Sequence, residues 1–278
     1  MVQGFRAAMV QICTGTDVAD NIEAATSFIR QAAADGALYI QTPEVTTLIE
    51  ARGRDQFEKS QPDDESNFSV QAFRTLASEL GVWLHIGSMA VRTPDERLAN
   101  RAFLFSPSGE IAARYDKIHM FDVDVDGDNR FSESRRYNPG TQAVLASLPW
   151  GNLGITICYD MRFPHLYRGL AQAGAQFIAV PSAFTVPTGK AHWHTLLRAR
   201  AIETACFIFA AAQAGEHPSG RLSYGHSIII SPWGEILAEA DDVETGFILA
   251  DIDVGLVEEA RRRIPSLNHD RRYDLVTA

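Results

Sequence analysis

Short apolar runs alternate with segments of helical periodicity along most of this 278-residue sequence, and this alternation limits the fold more than any other feature. Runs such as 153–157 and 176–180 are apolar at consecutive positions, which is typical of strands buried on both faces. Helical spacing predicts helices over 17–34, 69–80, 164–173 and 191–205. Hairpin-like turns are mixed in, so the pattern predicts an α/β fold with a mixed sheet or two sheets layered between helices. The similarity of the two β-rich halves favours two sheets face to face.

No Pro-, Gly- or Ser-rich linker divides the chain, so we expect residues 1–278 to form a single domain. The net charge of -10 and the isoelectric point of about 5.3 argue against nucleic acid or an anionic membrane as the main partner. Three cysteines are too few for a disulfide framework, which favours a reducing compartment. No run of about 18 apolar residues and no signal-peptide pattern is found, so we expect a cytoplasmic protein.

Cys158 ends one of the predicted buried strands and precedes a predicted helix. At such a turn a side chain faces a pocket, and backbone N–H groups point outward where they stabilise developing negative charge. A buried structural thiol is the alternative, since free cysteine is among the most buried residue types. We interpret Cys13 and Cys206 in that way, as small core residues.

Two ionisable residues stand at other predicted strand ends, Glu44 after the run 37–41 and Lys117 after the run 111–115. Strand ends gather along one edge in layered α/β folds, so these residues are expected to meet Cys158 there. The three groups suit acyl transfer. The ammonium of Lys117 lowers the pKa of the attacking thiol and holds the oxyanion. Glu44 takes the thiol proton, gives it to the departing amine and then activates water, a task that requires burial to raise its pKa.

Histidines offer a rival way to activate the thiol, because a Cys–His pair with His119 or His226 fits the sequence as well. His192 and His194 suggest a metal site, but residues two apart on a helix point in different directions, so we expect no metal there. A non-enzymatic binding module with a reactive thiol remains the alternative of another class.

Alternating aspartates near a glycine suggest a calcium loop of the EF-hand type; they are Asp122, Asp124, Asp126 and Asp128. No segment of helical periodicity flanks them correctly, and Glu133 comes too early to be the last ligand of such a loop. We therefore expect no calcium site. The segment 116–140 is long and irregular, a feature often found at functional sites.

The sequence resembles the nitrilase superfamily of carbon–nitrogen hydrolases over nearly its whole length. The most specific matches are Tyr115-Asp-Lys-Ile-His-Met-Phe-Asp122, Cys158-Tyr-Asp-Met-Arg-Phe-Pro164 and Gly189-Lys-Ala-His-Trp193. The resemblance implies a four-layer αββα sandwich of two mixed β-sheets between helices, with no metal or organic cofactor. It also implies a homodimer or higher homo-oligomer, in which the C-terminal tail at about 260–278 packs on a partner subunit.

The superfamily's Glu–Lys–Cys triad matches Glu44, Lys117 and Cys158 in order and spacing. Matching to the family further implies that Glu133 is a second carboxylate that orients Lys117, and that the backbone N–H of Tyr159 completes the oxyanion hole.

Three further residues receive substrate-binding roles from the resemblance. Arg162 is a candidate for holding a substrate carboxylate, unless it forms a salt bridge with Asp160 instead. Phe184 and Thr188 are expected to line the pocket.

Within the superfamily the sequence resembles the amidases that act on deaminated glutathione, through residues 197–204 and 223–227, with the omega-amidases next. The resemblance implies an amidase that hydrolyses the terminal carboxamide of a small α-keto acid through a Cys thioester and releases ammonia. Deaminated glutathione is the expected substrate and α-ketoglutaramate the alternative. Val45 and Thr46 replace an Ala–aromatic pair of many relatives, which bears on substrate identity.

Overall fold

The computed structural model describes residues 4–124 and 130–277 and has a mixed α/β fold, as predicted. Its helices are α1 (Val18–Ala34), α2 (Gly53–Lys59), α3 (Phe68–Leu80), α4 (Pro164–Gln172), α5 (Val186–Thr204) and α6 (Gly255–Arg263). Its strands in the first half are β1 (Gly4–Gln11), β2 (Tyr39–Gln41), β3 (Gln61–Pro62), β4 (Trp83–Arg92), β5 (Leu98–Phe105), β6 (Ile111–Asp116), β7 (Asp122–Asp124), β8 (Arg130–Ser132) and β9 (Tyr137–Asn138). Those of the second half are β10 (Val144–Leu148), β11 (Gly151–Ile155), β12 (Ala175–Ala179), β13 (Phe207–Ala210), β14 (Ala214–Glu216), β15 (Leu222–Tyr224), β16 (Ile228–Ile230), β17 (Ile236–Glu239) and β18 (Gly246–Asp253).

Two large sheets carry most of these strands. The first has the order β18-β1-β2-β4-β5-β6, with β3 paired to β4 and β9 to β5. The second has the order β10-β11-β12-β13-β16-β17. Each sheet contains parallel neighbours, β1–β2–β4 in one and β11–β12–β13 in the other, with antiparallel neighbours at the flanks. Both sheets are therefore mixed, as predicted.

Strand β1 shows why the chain forms layers. Alternate side chains of a strand point to opposite faces. Ala7 and Met9 belong to the core between the two sheets, whereas Ala8 and Val10 belong to a second core on the other face. All four side chains are fully buried. A run that is apolar at every position is thus required by the two cores that this strand separates.

Aromatic side chains join the facing sheets. Phe5 of β1 stacks on Trp150 with ring centroids 4.1 Å apart and meets Phe177 of β12 edge-on at 5.4 Å. Tyr39 of β2 lies 5.4 Å from the ring of Phe209 on β13. Each such contact buries a large apolar area and adds about 0.5–1.5 kcal/mol beyond that burial. The two sheets consequently share one continuous core.

Helices cover the outer faces. On the first sheet, Ile29 of α1 and Phe73 of α3 are fully buried against the second core. On the second sheet, Leu170 of α4 and Leu197 of α5 join the main core. The order of layers is helix, sheet, sheet, helix, which is the predicted four-layer αββα sandwich. Within the described residues, no helix has both the length and the apolar character needed to cross a membrane.

One segment differs from the sequence-based prediction, and another lies partly outside the described residues. No helix was predicted for the polar segment 52–67, but it contains α2, whose apolar contribution comes from Phe57 packed against the cluster of Ala90, Leu98 and Tyr137. A helix with so few apolar residues leaves too weak a periodic signal in the sequence. Asp122 and Asp124 lie in β7, while Asp126 and Asp128 fall outside the described residues.

Strand direction gathers the ends of three strands at one edge. Because β5 is antiparallel to both β4 and β6, strands β2, β4 and β6 run the same way. Glu44 follows β2, and Lys117 directly follows β6. In the facing sheet, Cys158 follows β11. The fold therefore presents a carboxylate, an amine and a thiol on the same side of the sandwich.

Gly87 on β4 packs between the segment that follows β2 and Pro181, which follows β12. A Cβ atom there would overlap Thr42 O and the Cβ atom of Pro181, and it would lie 2.6 Å from Pro43 O. The carbonyl of Pro181 also accepts a hydrogen bond from Cys158 N at 3.0 Å. A side chain at this position would push apart the segments that carry the carboxylate and the thiol.

We expect Gly87→Ala to lower the free energy of unfolding by about 1–3 kcal/mol, since overpacking against backbone has no flexible neighbour to relieve it. Urea unfolding measures this change. The matched control is Gly169→Ala in α4, where an added Cβ has no atom within 4 Å and is expected to be neutral or slightly stabilising. Equal unfolding midpoints for the two variants would contradict the interpretation.

Candidate active site

Lys117 forms the centre of a buried charge network. Its side chain is only 2% exposed. The ammonium donates to Glu44 Oε1 at 2.8 Å and to the two oxygens of Glu133 at 3.2 and 2.9 Å. A buried cation needs such partners, because desolvation of an unpaired charge costs several kcal/mol. The predicted proximity of Glu44 and Lys117, and of Glu133 and Lys117, is thus present.

Asn100 on β5 is part of the same network and was not predicted. Its side-chain amide donates to Glu44 Oε1 at 2.9 Å and to Glu133 Oε1 at 3.1 Å. Its backbone carbonyl accepts from Lys117 N at 3.0 Å. The amide therefore separates two carboxylates that would otherwise repel each other. Its own Oδ1 atom is buried and has no hydrogen-bond partner within residues 4–124 and 130–277.

Glu44 and Glu133 are held by backbone groups as well as by side chains. Glu44 Oε2 accepts from Ala183 N at 2.9 Å, and Glu133 Oε2 accepts from Phe121 N at 2.7 Å. Hydrogen bonds to fixed backbone donors leave the carboxylates little rotational freedom. Glu133 opens a 3₁₀ turn that extends to Arg135, within the irregular segment 116–140 that the sequence singled out.

Cys158 occupies a sharp turn between β11 and the 3₁₀ turn Cys158–Arg162. Its φ of 49° lies in the left-handed region, which costs a non-glycine residue about 1–2 kcal/mol. The turn is stabilised by Asp160, which is fully buried. Asp160 Oδ2 accepts from Ile157 N at 2.9 Å and from the Tyr115 hydroxyl at 2.7 Å. These hydrogen bonds hold Cys158 in a strained backbone geometry. As at the start of any helix, the first N–H groups have no acceptor within the turn itself.

Electrostatics set the protonation states. Burial alone would raise the pKa of Glu44, but the charge of Lys117 and its hydrogen bond outweigh burial and lower that pKa. Burial would lower the pKa of Lys117, yet the charges of Glu133 and Glu44 raise it well above its ordinary value. Burial and the charge of Glu44 raise the pKa of the Cys158 thiol, and Lys117 opposes them only in part. The arrangement favours a carboxylate, an ammonium and a protonated thiol.

This result refines the expectation from sequence. Lys117 does lower the thiol pKa, as predicted, but burial and Glu44 have the larger effect. Burial does act to raise the pKa of Glu44, but the neighbouring ammonium reverses the net direction. The thiol must consequently lose its proton at the moment of attack, and the ionised Glu44 is the adjacent acceptor.

A cavity of about 720 Å³ opens at these residues. Glu44, Lys117, Glu133 and Cys158 all line it, so the structure brings the four predicted side chains to one site. The predicted residues Tyr159, Phe184 and Thr188 also line the cavity. Val45, at the position where the sequence departs from many relatives, lies there too and packs against Ile49 and Ala183.

Arg162 is the one predicted site residue that is not among those lining the cavity. Its guanidinium lies over the rings of Tyr159 and Phe184, 5.8 and 5.5 Å from their centroids. Its nearest polar partner is His192 Nδ1 at 3.3 Å, so the alternative of a salt bridge with Asp160 is not what the structure shows. Contact of Arg162 with a substrate stays a prediction.

The histidines proposed as alternative bases face other partners. His119 Nδ1 lies 2.7 Å from Asp160 Oδ1, and its ring stacks on Phe163 with centroids 3.5 Å apart. His226 Nδ1 lies 3.0 Å from Glu239 Oε1. Neither residue lines the cavity. The geometry thus favours Glu44 over a Cys–His pair.

The contacts of His194 are with residues far from it in the sequence. Its Nε2 atom lies 2.6 Å from Glu239 Oε1, the same oxygen that His226 contacts. Among the residues that the structure describes, these three form a group whose ligand atoms lie close enough together to hold a metal ion. Two imidazoles that donate to one carboxylate oxygen are satisfied by hydrogen bonds alone. The group lies outside the cavity lining, so it takes no part in the site at Cys158.

Known proteins match nearly the whole length of this chain. A family model described as carbon-nitrogen hydrolase matches residues 6–262. A protein named deaminated glutathione amidase from Yersinia enterocolitica is 39% identical over 267 residues, which cover 95% of this chain and 92% of that protein. A protein of the same name from Homo sapiens is 38% identical over 273 residues, covering 96% of this chain and 82% of its own length.

Two crystal structures share the fold. The NitFhit protein of C. elegans has a TM-score of 0.89 and 34% identity, with 98% of this chain and 66% of that longer chain covered. Saccharomyces cerevisiae Nit3, described as a member of branch 10 of the nitrilase superfamily, has a TM-score of 0.87 and 29% identity, with 98% of this chain and 97% of that chain covered.

We expect Asn100→Leu to lower kcat about tenfold, the effect of removing one hydrogen bond to each buried carboxylate. Loss of a donor that favours the charged form raises the pKa of Glu44, so the acid limb of the kcat/KM profile shifts to higher pH. The profile between pH 4 and 9 measures the shift. The control is Asn138→Leu, which removes a similar amide–carboxylate bond to Asp95 outside the site. An unchanged acid limb in Asn100→Leu would contradict the assigned role.

We expect alkylation of Cys158 by iodoacetamide to show no inflection near the ordinary thiol pKa of about 8.5, because the thiol pKa is raised. In Glu44→Gln, burial still raises this pKa, but the contribution of the Glu44 charge is gone while Lys117 remains, so alkylation is expected to become significant at a lower pH than in the wild type. Mass spectrometry of the Cys158 peptide follows the reaction. A wild-type inflection between pH 8 and 9 would show that the thiol behaves as an ordinary exposed one.

Proposed function

The chain belongs to the carbon–nitrogen hydrolase family, and on this premise we propose that it is an amidase whose nucleophile is Cys158. The observation that carries the proposal is the buried network of Glu44, Lys117 and Glu133 beside Cys158 at one cavity. In this proposal Glu44 is the general base and acid, Lys117 stabilises the oxyanion and Glu133 positions Lys117. The backbone N–H of Tyr159 is the second oxyanion donor.

The first half of the reaction forms a thioester. Glu44 takes the proton of the Cys158 thiol as the sulfur attacks the amide carbon. The carbonyl oxygen gains negative charge and receives hydrogen bonds from Lys117 and from the N–H of Tyr159. The C–N bond then breaks, Glu44 transfers its proton to the departing amine, and the acyl group remains on sulfur.

The second half hydrolyses the thioester. Glu44, again ionised, takes a proton from a water molecule that attacks the acyl carbon. The oxyanion is stabilised by the same two donors, and the carboxylic acid product leaves as the thiol recovers its proton from Glu44. The low pKa of Glu44 keeps the carboxylate available as a base throughout the neutral pH range. No metal or organic cofactor enters these steps.

The proposed substrate is deaminated glutathione, the compound after which the bacterial and human relatives are named. In this compound the amide nitrogen belongs to cysteinylglycine, so hydrolysis releases that dipeptide and 2-oxoglutarate. The expected release of ammonia is therefore wrong for this substrate on chemical grounds. Ammonia is the product of the alternative substrate, α-ketoglutaramate.

The cavity has the size of a small-molecule site. Its volume of about 720 Å³ lies within the range of roughly 300–1,000 Å³ found for small-molecule sites. Tyr159, Phe184 and Thr188 supply aromatic and hydroxyl surface along it, and Arg162 lies behind the two rings. We assign these residues to substrate binding within the proposal.

The remaining expectations concern the cellular setting. We propose a cytoplasmic homo-oligomer. The free state of Cys13, Cys158 and Cys206 supports a reducing compartment. In this proposal the chain forms a single domain, and its tail at about 260–278 packs on a partner subunit. Exposed apolar side chains at Tyr273, Leu275 and Val276 support that packing.

Side-by-side turnover of deaminated glutathione and α-ketoglutaramate tests the proposal, with 2-oxoglutarate as the common product to be measured. We expect a kcat/KM at least about tenfold higher for deaminated glutathione, since its dipeptide adds binding contacts. Cys158→Ser is expected to retain the fold by circular dichroism and to lose turnover of both substrates.

A preference for α-ketoglutaramate would assign the protein to the omega-amidase alternative with the same chemistry. Turnover by Cys158→Ser at the wild-type rate would overturn the mechanism. Labelling of Cys158 by an electrophile without hydrolysis of any amide tested would favour the binding module over an enzyme.

A further inference from the structure

A hairpin turn forms one wall of the cavity. Strands β14 and β15 are joined by residues 217–221, and Ser219, Gly220 and Arg221 line the cavity. The turn is anchored by His217, whose Nδ1 donates to Thr14 O at 2.9 Å and whose Nε2 accepts from Ser223 Oγ at 2.8 Å. Burial lowers the pKa of His217 to about 4, so the ring is neutral and the anchor does not change at neutral pH. The wall is thus a fixed part of the site.

Two polar groups of this wall lack partners. Arg221 Nε and Ser219 Oγ are buried and have no hydrogen-bond partner in the part of the chain that the structure describes. Arg221 uses one terminal nitrogen to donate to the carbonyl of Ala183. Leaving a buried donor unpaired costs about 1–3 kcal/mol, more for a charged group. A ligand oxygen, and best a carboxylate, would satisfy both groups, because a guanidinium binds a carboxylate with two parallel hydrogen bonds.

Other arginines of the cavity are less suited to this task. The guanidinium of Arg136 already donates to Gln56 Oε1 and to Ala51 O, each at 3.2 Å. Arg135 is exposed to solvent, where an ion pair contributes little. Arg221 combines partial burial, an unpaired donor and a hydroxyl neighbour in the same turn.

Arg221 lies on the Glu44 side of the cavity. Ala183 connects them, since its carbonyl accepts from Arg221 and its N–H donates to Glu44 Oε2 at 2.9 Å. The charge of Arg221 also contributes to lowering the pKa of Glu44. Glu44 is the residue that protonates the departing amine in the proposed mechanism. The part of a substrate attached to that nitrogen is therefore placed nearest to the hairpin wall.

We propose that Arg221 and Ser219 form a subsite for a carboxylate carried by the leaving group, separate from any subsite near Arg162 for the acyl group. This inference rests on the proposed amidase function and names the substrate class it selects: amides whose leaving amine ends in a carboxylate, such as a dipeptide. A two-residue leaving group reaches at most about 7 Å from the amide nitrogen, so its carboxylate has to bind within that distance of the amide.

The test compares Arg221→Gln, Arg221→Lys and Ser219→Ala on two substrates. For deaminated glutathione we expect KM to rise about 10- to 100-fold in Arg221→Gln and less in Arg221→Lys, which keeps the charge but loses the paired hydrogen bonds. Ser219→Ala is expected to raise KM a few fold. For α-ketoglutaramate, which has no carboxylate on its leaving nitrogen, KM is expected to stay within about twofold for all three variants. The charge of Arg221 acts on Glu44, so any change of kcat in Arg221→Gln is expected to be the same for both substrates, and the KM values are what test the subsite.

A change in the ligand provides the complementary test. Deaminated glutathione with its glycine carboxylate converted to a carboxamide should bind the wild-type protein as weakly as the natural compound binds Arg221→Gln. The same compound should show no further loss with Arg221→Gln, because the two changes remove one interaction. The control variant Arg198→Gln also removes an arginine that donates to a backbone carbonyl, that of Gly234, but lies outside the cavity.

Three outcomes would overturn the inference. The first is an unchanged KM for deaminated glutathione in Arg221→Gln, and the second is an equal rise in KM for both substrates. The third is that Arg221→Gln weakens binding of the carboxamide compound as much as it weakens binding of deaminated glutathione. The second outcome would place the carboxylate on the acyl side instead. Failure of the proposed function is seen separately, because it removes wild-type turnover of both substrates before any variant is compared.

Discussion

The site depends on one buried cation shared between two carboxylates. Lys117, at 2% exposure, needs Glu44 and Glu133 as partners for its charge, and without Lys117 the two carboxylates would repel each other at close range. Asn100 completes the group by donating to both carboxylates at once. Removal of any member takes away at least one hydrogen-bond partner of a buried charge. The network must therefore be assembled as a unit, and its members come from segments far apart in the sequence.

The sandwich supplies those segments at the required spacing. Strands β2 and β6 run the same way in one sheet, and β11 ends opposite them in the facing sheet. The aromatic contacts of Phe5 and Tyr39 fix the separation of the sheets, and the absent side chain of Gly87 lets their ends approach. Packing in the core and chemistry at the edge are consequently parts of one arrangement, since a shift of either sheet would separate Cys158 from Glu44.

Sequence patterns predicted the layers and the strand ends, because a strand buried on both faces and a break before a helix leave signals within a few adjacent residues. Cys158 was found in that way. Asn100 was not, since an asparagine inside a strand has no local signature, and its role comes from Glu44 and Glu133 in other elements. Arg221 lies in a polar hairpin turn of a kind that normally indicates solvent exposure. Helix α2 was missed because its packing depends on Tyr137, far along the chain. In each case the deciding partner is remote in sequence.

The raised pKa of the Cys158 thiol also has a consequence for chemical damage. Oxidation by peroxides begins at the thiolate, and cysteines with low pKa values are the ones most readily converted to sulfenic acid. Between turnovers Cys158 is a protonated thiol and only 7% exposed, and it ionises only when it attacks a substrate. Oxidants therefore meet little thiolate in the resting protein. The same burial that makes Cys158 dependent on Glu44 for its reactivity thus gives the resting protein a measure of resistance to oxidative inactivation.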